Sequence, residues 1–329
     1  MKAAFYRSYG VAADVLEVGD VDVPETGPDD VRIRVHYSGI NPSDCMRRLG
    51  LREKLSDPFI VPHNDGAGII ESVGKNVSSS RIGERVWIWN GQRDGRTMGT
   101  AAEYIVLHHQ YAVPLPENVS FEEGACFGVP VMTAYASLFA DGPVEGLNVL
   151  VCGGAGAVGH YAIQLARLAG AKCVIATVSG DTKSKHAAVA RPHHIINYKL
   201  ENVFERVMSL TNDTGVDRIS EVNFAANAET DCNVIARHGA IGVYGSPSGY
   251  EPELPIRPLI AKHVTVRFIQ CNILPMSFRE AGTQLLIQLA SRGDLVNSIG
   301  RVFELDQVAE AHQAVESGDV IGNVLLKID

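Results

Sequence analysis

The chain has no cysteine cluster, no basic run and no long apolar segment, and each absence removes a class of protein. Six cysteines, at 45, 126, 152, 173, 232 and 271, are scattered so widely that the nearest two, Cys152 and Cys173, stand 21 residues apart. With no C-x-x-C pair, neither a disulfide framework nor a zinc cluster built on paired cysteines is expected. Basic residues number 29 against 38 acidic ones, a formal charge of −9, and nowhere do they gather into a stripe interleaved with aromatics. Nucleic acid and anionic membrane surfaces are therefore not expected partners. No segment approaches the ~18 apolar residues of a membrane span, and the strand-like start Met1-Lys2-Ala3-Ala4-Phe5-Tyr6 lacks the apolar core of a signal peptide, so a cytoplasmic location is expected. What remains is an ordinary folded chain: 329 residues, 46% hydrophobic and 20% charged, enough for two domains with cores of their own.

The most informative stretch is a short apolar strand, Asn148-Val149-Leu150-Val151-Cys152, running into Gly153-Gly154-Ala155-Gly156-Ala157-Val158-Gly159. Gly154, Gly156 and Gly159 fit G-x-G-x-x-G, where missing side chains permit a tight turn, close approach of backbone to phosphate and close packing of helix on strand. The helix that follows offers unpaired amides at Ala157, Val158 and Gly159 and the positive end of its dipole, a seat for a pyrophosphate. Glycine patterns arise by chance, so context decides. Val158, Ala162, Leu165, Ala166 and Ala169 recur at helical spacing, Gly170 suits a C-cap, and Cys173 to Val178 reads as a second buried parallel strand. The order is that of a βαβ unit.

The end of that second strand decides between dinucleotides. An NAD site places Asp or Glu there for the ribose 2′-hydroxyl. Here the tip reads Thr177-Val178-Ser179-Gly180, with Asp181 further on where it can cap the helix beginning near Lys183. Ser179, Lys183 and Tyr198 can instead bond or neutralise a 2′-phosphate, so NADP(H) is the expected cofactor.

Up to about residue 120 the chain alternates short strands (Val31 to Val35, Ala67 to Val73, Arg85 to Trp89) with Gly and Pro turns, the spacing of a β-barrel. A helix over Gly124 to Ala140 follows, then buried strands at Ile195 to Tyr198, Ile219 to Val222, Ala240 to Tyr244 and Val264 to Phe268, which complete a six-stranded parallel sheet. A helix over Phe278 to Ala290 and strands at Val302 to Leu305 and Val324 to Ile328 close the chain.

Gly39-Ile40-Asn41-Pro42-Ser43-Asp44, Asp65 to Gly74, Gly83-Glu84-Arg85-Val86, Gly99 to Tyr104, Pro130 to Tyr135 and the glycine turn together resemble the medium-chain dehydrogenase/reductase superfamily, in its zinc-free quinone oxidoreductase (zeta-crystallin-like) branch, over essentially the whole chain. The resemblance implies an α/β fold with a GroES-like β-barrel catalytic domain over 1–122, a Rossmann doubly wound parallel-sheet NADP-binding domain over 123–269, and a segment 270–329 returning to the catalytic domain. It further places Asn41 and Thr133 near the nicotinamide and its ribose, Tyr244-Gly245-Ser246 and Asn272-Ile273 along the cofactor's other side, and Asn323 at a C-terminal cofactor contact. Asp44 either orders a catalytic water beside Asn41 or caps the helix after Pro42.

Zinc alcohol dehydrogenases belong to the same superfamily. Their first zinc cysteine falls near Gly39 to Asp44, their His-Glu pair aligns with Asn64-Asp65 and their second cysteine near Val129, so only the acid is matched; His63 stands one position early and is expected to be an ordinary polar residue. No metal is expected. Without that Lewis acid, the accessible reaction is hydride transfer to a carbon already made electrophilic by conjugation, in a quinone or an α,β-unsaturated carbonyl. Met46, Arg52, Asn64 and Trp89 are the candidate substrate-pocket residues. Met46 and Arg52 stand where similar enzymes carry aromatics, and Arg52 leaves open an enoyl-thioester reductase of the same fold. A non-enzymatic crystallin-like or RNA-binding role is the third reading, opposed by the intact glycines and the acidic charge. The strand Val264 to Phe268, last in the parallel sheet, is expected to join two copies as a homodimer.

Overall fold

The structure, a computed structural model, describes residues 1–52, 58–93 and 95–329. It divides into two compact units, one formed by Met1–Pro130 with Met276–Asp329, the other by Val131–Pro275.

The first unit is built from β1 (Lys2–Phe5), β2 (Glu17–Asp20), β3 (Asp30–Ile40), β4 (Asp65–Val73), β5 (Arg85–Ile88), β6 (Tyr104–His108) and β7 (Ala112–Pro114), together with two late strands, β14 (Ile299–Glu304) and β15 (Asn323–Lys327). A seven-stranded sheet runs β14-β15-β3-β4-β5-β7, with β6 also paired to β3. In β3, Val31, Ile33 and Val35 are buried while Arg32, Arg34 and His36 are less so, the two-residue period of a strand with one dry face. The alternation stops at Ser38-Gly39-Ile40, all buried, where β15 lies along the strand and pairs Val324 with Ile40. One apolar cluster joins Ala3, Phe5, Ile40 and Cys45 to Val308, Ala311 and Leu326, so residues from both ends of the chain share a core.

The second unit carries β8 (Asn148–Val151), β9 (Cys173–Val178), β10 (His194–Asn197), β11 (Val216–Glu221), β12 (Ile235–Val243) and β13 (Thr265–Phe268) in the order β10-β9-β8-β11-β12-β13, every pair parallel. In units of strand sequence this is 3-2-1-4-5-6, the doubly wound order with its switch point at β8. Strands covered on both faces must be apolar throughout, and β8 is buried at all four positions.

The expected single helix over Gly124 to Ala140 is broken. Helix Phe121–Gly124 is followed by a π-turn, Phe127–Val131, and only then by helix Met132–Phe139. Pro130 lies inside the π-turn; its ring and missing N–H disrupt a regular i→i−4 ladder, and the wider turn accommodates both.

Candidate functional site

In the 131–275 unit the glycine turn is pinned to β9. Gly153, in the left-handed region at φ 71°, donates its amide to the Thr177 hydroxyl at 3.2 Å, and Gly154 donates to the Thr177 carbonyl at 2.9 Å. The three motif glycines then have separate reasons to be glycine. A Cβ on Gly154 would stand 2.8 Å from the Ala176 Cβ, and one on Gly159 would stand 2.3 Å from the Gly153 carbonyl oxygen. At Gly156 the nearest atom is 3.4 Å away, so there the missing side chain leaves room above the backbone instead of relieving a clash. Gly156 is also the N-cap of helix Ala157–Leu168, whose ladder opens with the His160 amide on the Gly156 carbonyl at 2.9 Å. The amides of Ala157, Val158 and Gly159 therefore precede the first helical bond and face the position a dinucleotide pyrophosphate would occupy. The turn fits the group.

Because all six strands are parallel, their C-terminal ends form one edge, and the remaining candidates gather along it. Asn197 pairs with Val178, and the Tyr198 amide donates to the Val178 carbonyl at 3.1 Å, which sets Tyr198 beside Ser179. Helix Asp181–Val189 starts at the same tip, with Gly180 as N-cap and Lys183 in its first turn. Asp181 is thus not the N-cap expected from its type: it is the first helical residue, an acid in the first turn. Tyr244-Gly245-Ser246 leaves β12, with the Tyr244 amide on the Glu221 carbonyl at 3.0 Å and the Ser246 hydroxyl accepting from the Ala225 amide at 3.0 Å. Burial raises the Tyr244 phenol well above its ordinary value, so it stays protonated. Beyond β13 a 3-10 turn, Cys271–Ile273, holds Asn272 and an exposed Ile273, and Thr133 is buried on helix Met132–Phe139.

In the other unit Asn41 is the N-cap of helix Pro42–Arg48 and Asp44 its third residue. The Asp44 carboxylate accepts the Asn41 backbone amide at 2.8 Å and the Asn64 side-chain amide at 2.6 Å, so both oxygens are engaged and the side chain is 1% exposed. Of the two roles expected for Asp44, the structure shows the cap: as the third helical residue it closes a capping box with Asn41, and its carboxylate is buried with a donor on each oxygen. Asn41 in turn donates its side-chain amide to Asp65 at 2.7 Å, and the Val129 amide donates to the same Asp65 oxygen at 2.8 Å. Burial, with the Asp44 carboxylate nearby, pushes the Asp65 carboxyl up to about 8 despite these two donors.

The neighbourhoods of 41, 65 and 129, where zinc enzymes of this superfamily carry their ligands, are therefore brought together, but as an amide, a carboxyl and a backbone N–H. Two donors share one Asp65 oxygen, and among the described residues no imidazole or thiolate converges on this carboxyl, so the set does not fit a zinc ion that needs three protein ligands.

Beside it runs a buried chain that sequence reasoning missed. The Thr100 hydroxyl donates to the Asp65 carbonyl at 2.6 Å; Ser38 Oγ lies 2.7 Å from Thr100 Oγ1 and 2.9 Å from His63 Nδ1; His63 Nε2 lies 2.9 Å from His312 Nε2; and Cys45 Sγ lies 3.4 Å from His312 Nδ1. With the Thr100 proton spent on a carbonyl, one assignment satisfies the four remaining contacts: Ser38 donates to Thr100, His63 donates from Nδ1, His312 donates from Nε2 to the bare His63 Nε2, and the Cys45 thiol donates to His312 Nδ1, the shorter of its two contacts with that residue. Both imidazoles must be neutral for this. Burial lowers His63 to about 4 and lowers His312 well below its ordinary value, with His63 and Arg48 acting in the same direction on His312. The sequence carried one signal, His312 set on the apolar stripe Val308, Ala311, Val315.

The other expected contacts fare unevenly. Met46 is half-buried on helix Pro42–Arg48, and Arg52 is half-buried just beyond it. Asn64 is fully buried. Trp89 is not an open aromatic wall: it is 1% exposed and covered by the Arg279 guanidinium, 4.5 Å above its ring. Asn323 turns its side-chain amide to the Ser298 carbonyl at 2.8 Å, so its donor serves the unit's own backbone.

Comparison with known proteins agrees with this geometry. Residues 27–117 match the alcohol dehydrogenase GroES-like domain family and residues 157–287 the zinc-binding dehydrogenase family. A quinone oxidoreductase of Rattus norvegicus is 30% identical over 316 residues, 95% of this chain and 94% of that protein. Among solved structures, an NAD-dependent alcohol dehydrogenase superposes with a TM-score of 0.90 at 29% identity, covering 100% of both chains, and a quinone oxidoreductase of Pseudomonas syringae pv. Tomato DC3000 with 0.87 at 26%, covering 99% of each. The chain belongs to the quinone oxidoreductase family of the medium-chain dehydrogenase/reductase superfamily, a family of oxidoreductases.

Proposed function

We propose that this chain is an NADPH-dependent, zinc-independent reductase of quinones or α,β-unsaturated carbonyls, acting in the cytoplasm as a homodimer. The observation that carries the reading is the Asn41–Asp65–Val129 cluster, which occupies the place of a zinc site with groups that cannot hold one, in a chain whose dinucleotide turn is intact. When bound, the reduced nicotinamide supplies a hydride. The chain supplies the seat: the Ala157, Val158 and Gly159 amides for the pyrophosphate, and Ser179, Lys183 and Tyr198 at an acid-free strand tip for a 2′-phosphate. Asn41, whose side chain is fixed by the Asp44 backbone amide on one side and the Asp65 carboxyl on the other, is the residue set to face the nicotinamide ribose. With no Lewis acid to polarise an alcohol, substrates whose carbonyl is already conjugated are the ones within reach.

The test is turnover by chelator-dialysed protein on quinones, enals and enoyl-CoA, each with NADPH and NADH. Quinone or enal reduction favouring NADPH and unaffected by the chelator is the expected result. Alcohol oxidation abolished by the chelator would overturn the proposal, and a preference for enoyl-CoA would replace its substrate class.

A further inference from the structure

The interior of the 131–275 unit holds a polar cluster that the reading above does not use. Cys152 follows β8, Glu221 ends β11, and Asp231 lies on helix Phe224–Val234. Phe224, Ala228 and Cys232 form the buried stripe of that helix, and Asp231 falls on the same side, an acid where periodicity calls for an apolar residue. The thiol sulfur and one oxygen from each carboxyl all lie within 4.8 Å of one another, a convergence found nowhere else among the described residues. The three side chains are fully buried, and neither Asp231 oxygen has a hydrogen-bond partner. Glu221 is already oriented from outside the cluster: it accepts the Asn223 backbone amide, and the Asn227 side-chain amide lies 3.0 and 3.2 Å from its two oxygens. No Lys, Arg or His among the described residues is ion-paired with either acid.

Two carboxyl groups and a thiol in a dry interior cannot remain bare anions; they hold protons or a cation. Bonds of ~2.3 Å to sulfur and ~2.0–2.2 Å to oxygen place the ligand atoms of a tetrahedral zinc within about 4 Å of one another, close to the spacing found here. A carboxylate fixed by neighbouring amides is the usual support for a metal ligand. We propose that Cys152, Glu221 and Asp231 form a structural site for one soft divalent cation, Zn²⁺ or Cd²⁺. The thiolate ligand selects against Mg²⁺ and Ca²⁺, which prefer oxygen alone. Binding replaces protons: the cation takes the thiol sulfur and the acid oxygens as ligands, and the displaced protons pass to solvent. The site is separate from the Asp65 cluster. It lies directly before Gly153, so the cation would brace the start of the glycine turn against the helix bearing Asp231.

The test uses the whole folded chain, dialysed against chelator and then equilibrated with Cd²⁺. The expected result is uptake of one ion per chain with proton release, a thiolate-to-cadmium charge-transfer band in the ultraviolet, and a raised melting temperature. Cys152→Ser should abolish the band and Asp231→Asn should weaken uptake at least ten-fold, while Cys173→Ser, altering a half-buried thiol on β9, keeps both. A folded wild-type chain that takes up no cadmium and shows no band overturns the proposal, even where the variants fail to fold, and leaves two acids sharing a proton. A band that persists in Cys152→Ser overturns it equally.

Discussion

Replacing His63 by Asn tests the neutral imidazole pair most directly. His63 sits at φ 81°, a left-handed conformation that Asn tolerates best among non-glycine residues, so the backbone need not move. Asn can still donate to Ser38 but offers nothing at the position of Nε2, leaving the His312 Nε2–H without an acceptor, at about 1–3 kcal/mol near neutral pH. The pH dependence is the sharper readout. His63 is depressed from 6.5 to about 4 by burial, so its contribution is present above the unfolded value of 6.5 and is lost as pH falls towards the folded value. Between pH 7 and pH 5 the loss is about 2 kcal/mol, and below pH 4 it approaches about 3 kcal/mol. Asp65 acts in the opposite direction. Its carboxyl, pushed up to about 8, keeps its proton in the fold while the unfolded chain releases it, so acidification over the same range adds stability. The raw denaturation midpoint mixes the two. The difference between wild type and His63→Asn cancels Asp65, and in urea titrations at pH 7, 6 and 5 that difference should close by about 2 kcal/mol. A difference that stays constant would refute the neutral, tautomer-locked pair.

Three further outcomes are expected. Asp65→Asn has no proton to lose, so relative to wild type it should gain about 2–3 kcal/mol between pH 6 and pH 9 in the same urea assay, the interval through which the wild-type carboxyl ionises. Lys183→Ala should narrow the preference for NADPH over NADH by about 1.5–3 kcal/mol in binding titrations, and equal affinities in the unmutated protein would remove the 2′-phosphate assignment. Light scattering should give a dimer: among the described residues β13 pairs only with β12, and it carries Phe268 at 71% exposed and Arg267, whose guanidinium reaches Asp141 at 2.5 and 2.9 Å. A monomer at micromolar concentration would refute the edge-to-edge arrangement.

The parallel sheet was legible because its strands are buried on both faces and end in turns of restricted composition. Cys173 to Val178 falls where the unbroken apolar run puts it, and the glycine turn is fixed by clashes that local spacing already encodes. The π-turn at Phe127–Val131 was not legible, because apolar periodicity continues through Pro130 and only the lost amide interrupts it. The roles of Asp44 and Trp89 depend on what lies across the fold, Asn64 in one case and Arg279 in the other, and spacing along the chain carries no information about either. The histidine pair was hidden for the same reason. His63 reads as an isolated polar residue until the fold sets His312 against it.

The placement of β15 between β14 and β3 has a consequence for the order of assembly. Cys45 and His312 meet across 267 residues, and while β6 covers the 30–34 part of β3, its 37–40 end stays unpaired until β15 arrives. Loop closure over such a length is entropically expensive when the intervening chain is disordered, but Val131–Pro275 is contiguous and its strands pair among themselves. On a ribosome, that middle segment can fold while the N-terminal sheet waits incomplete, the 37–40 end of β3 bare and His63 without His312. The unit synthesised first is the last to be completed.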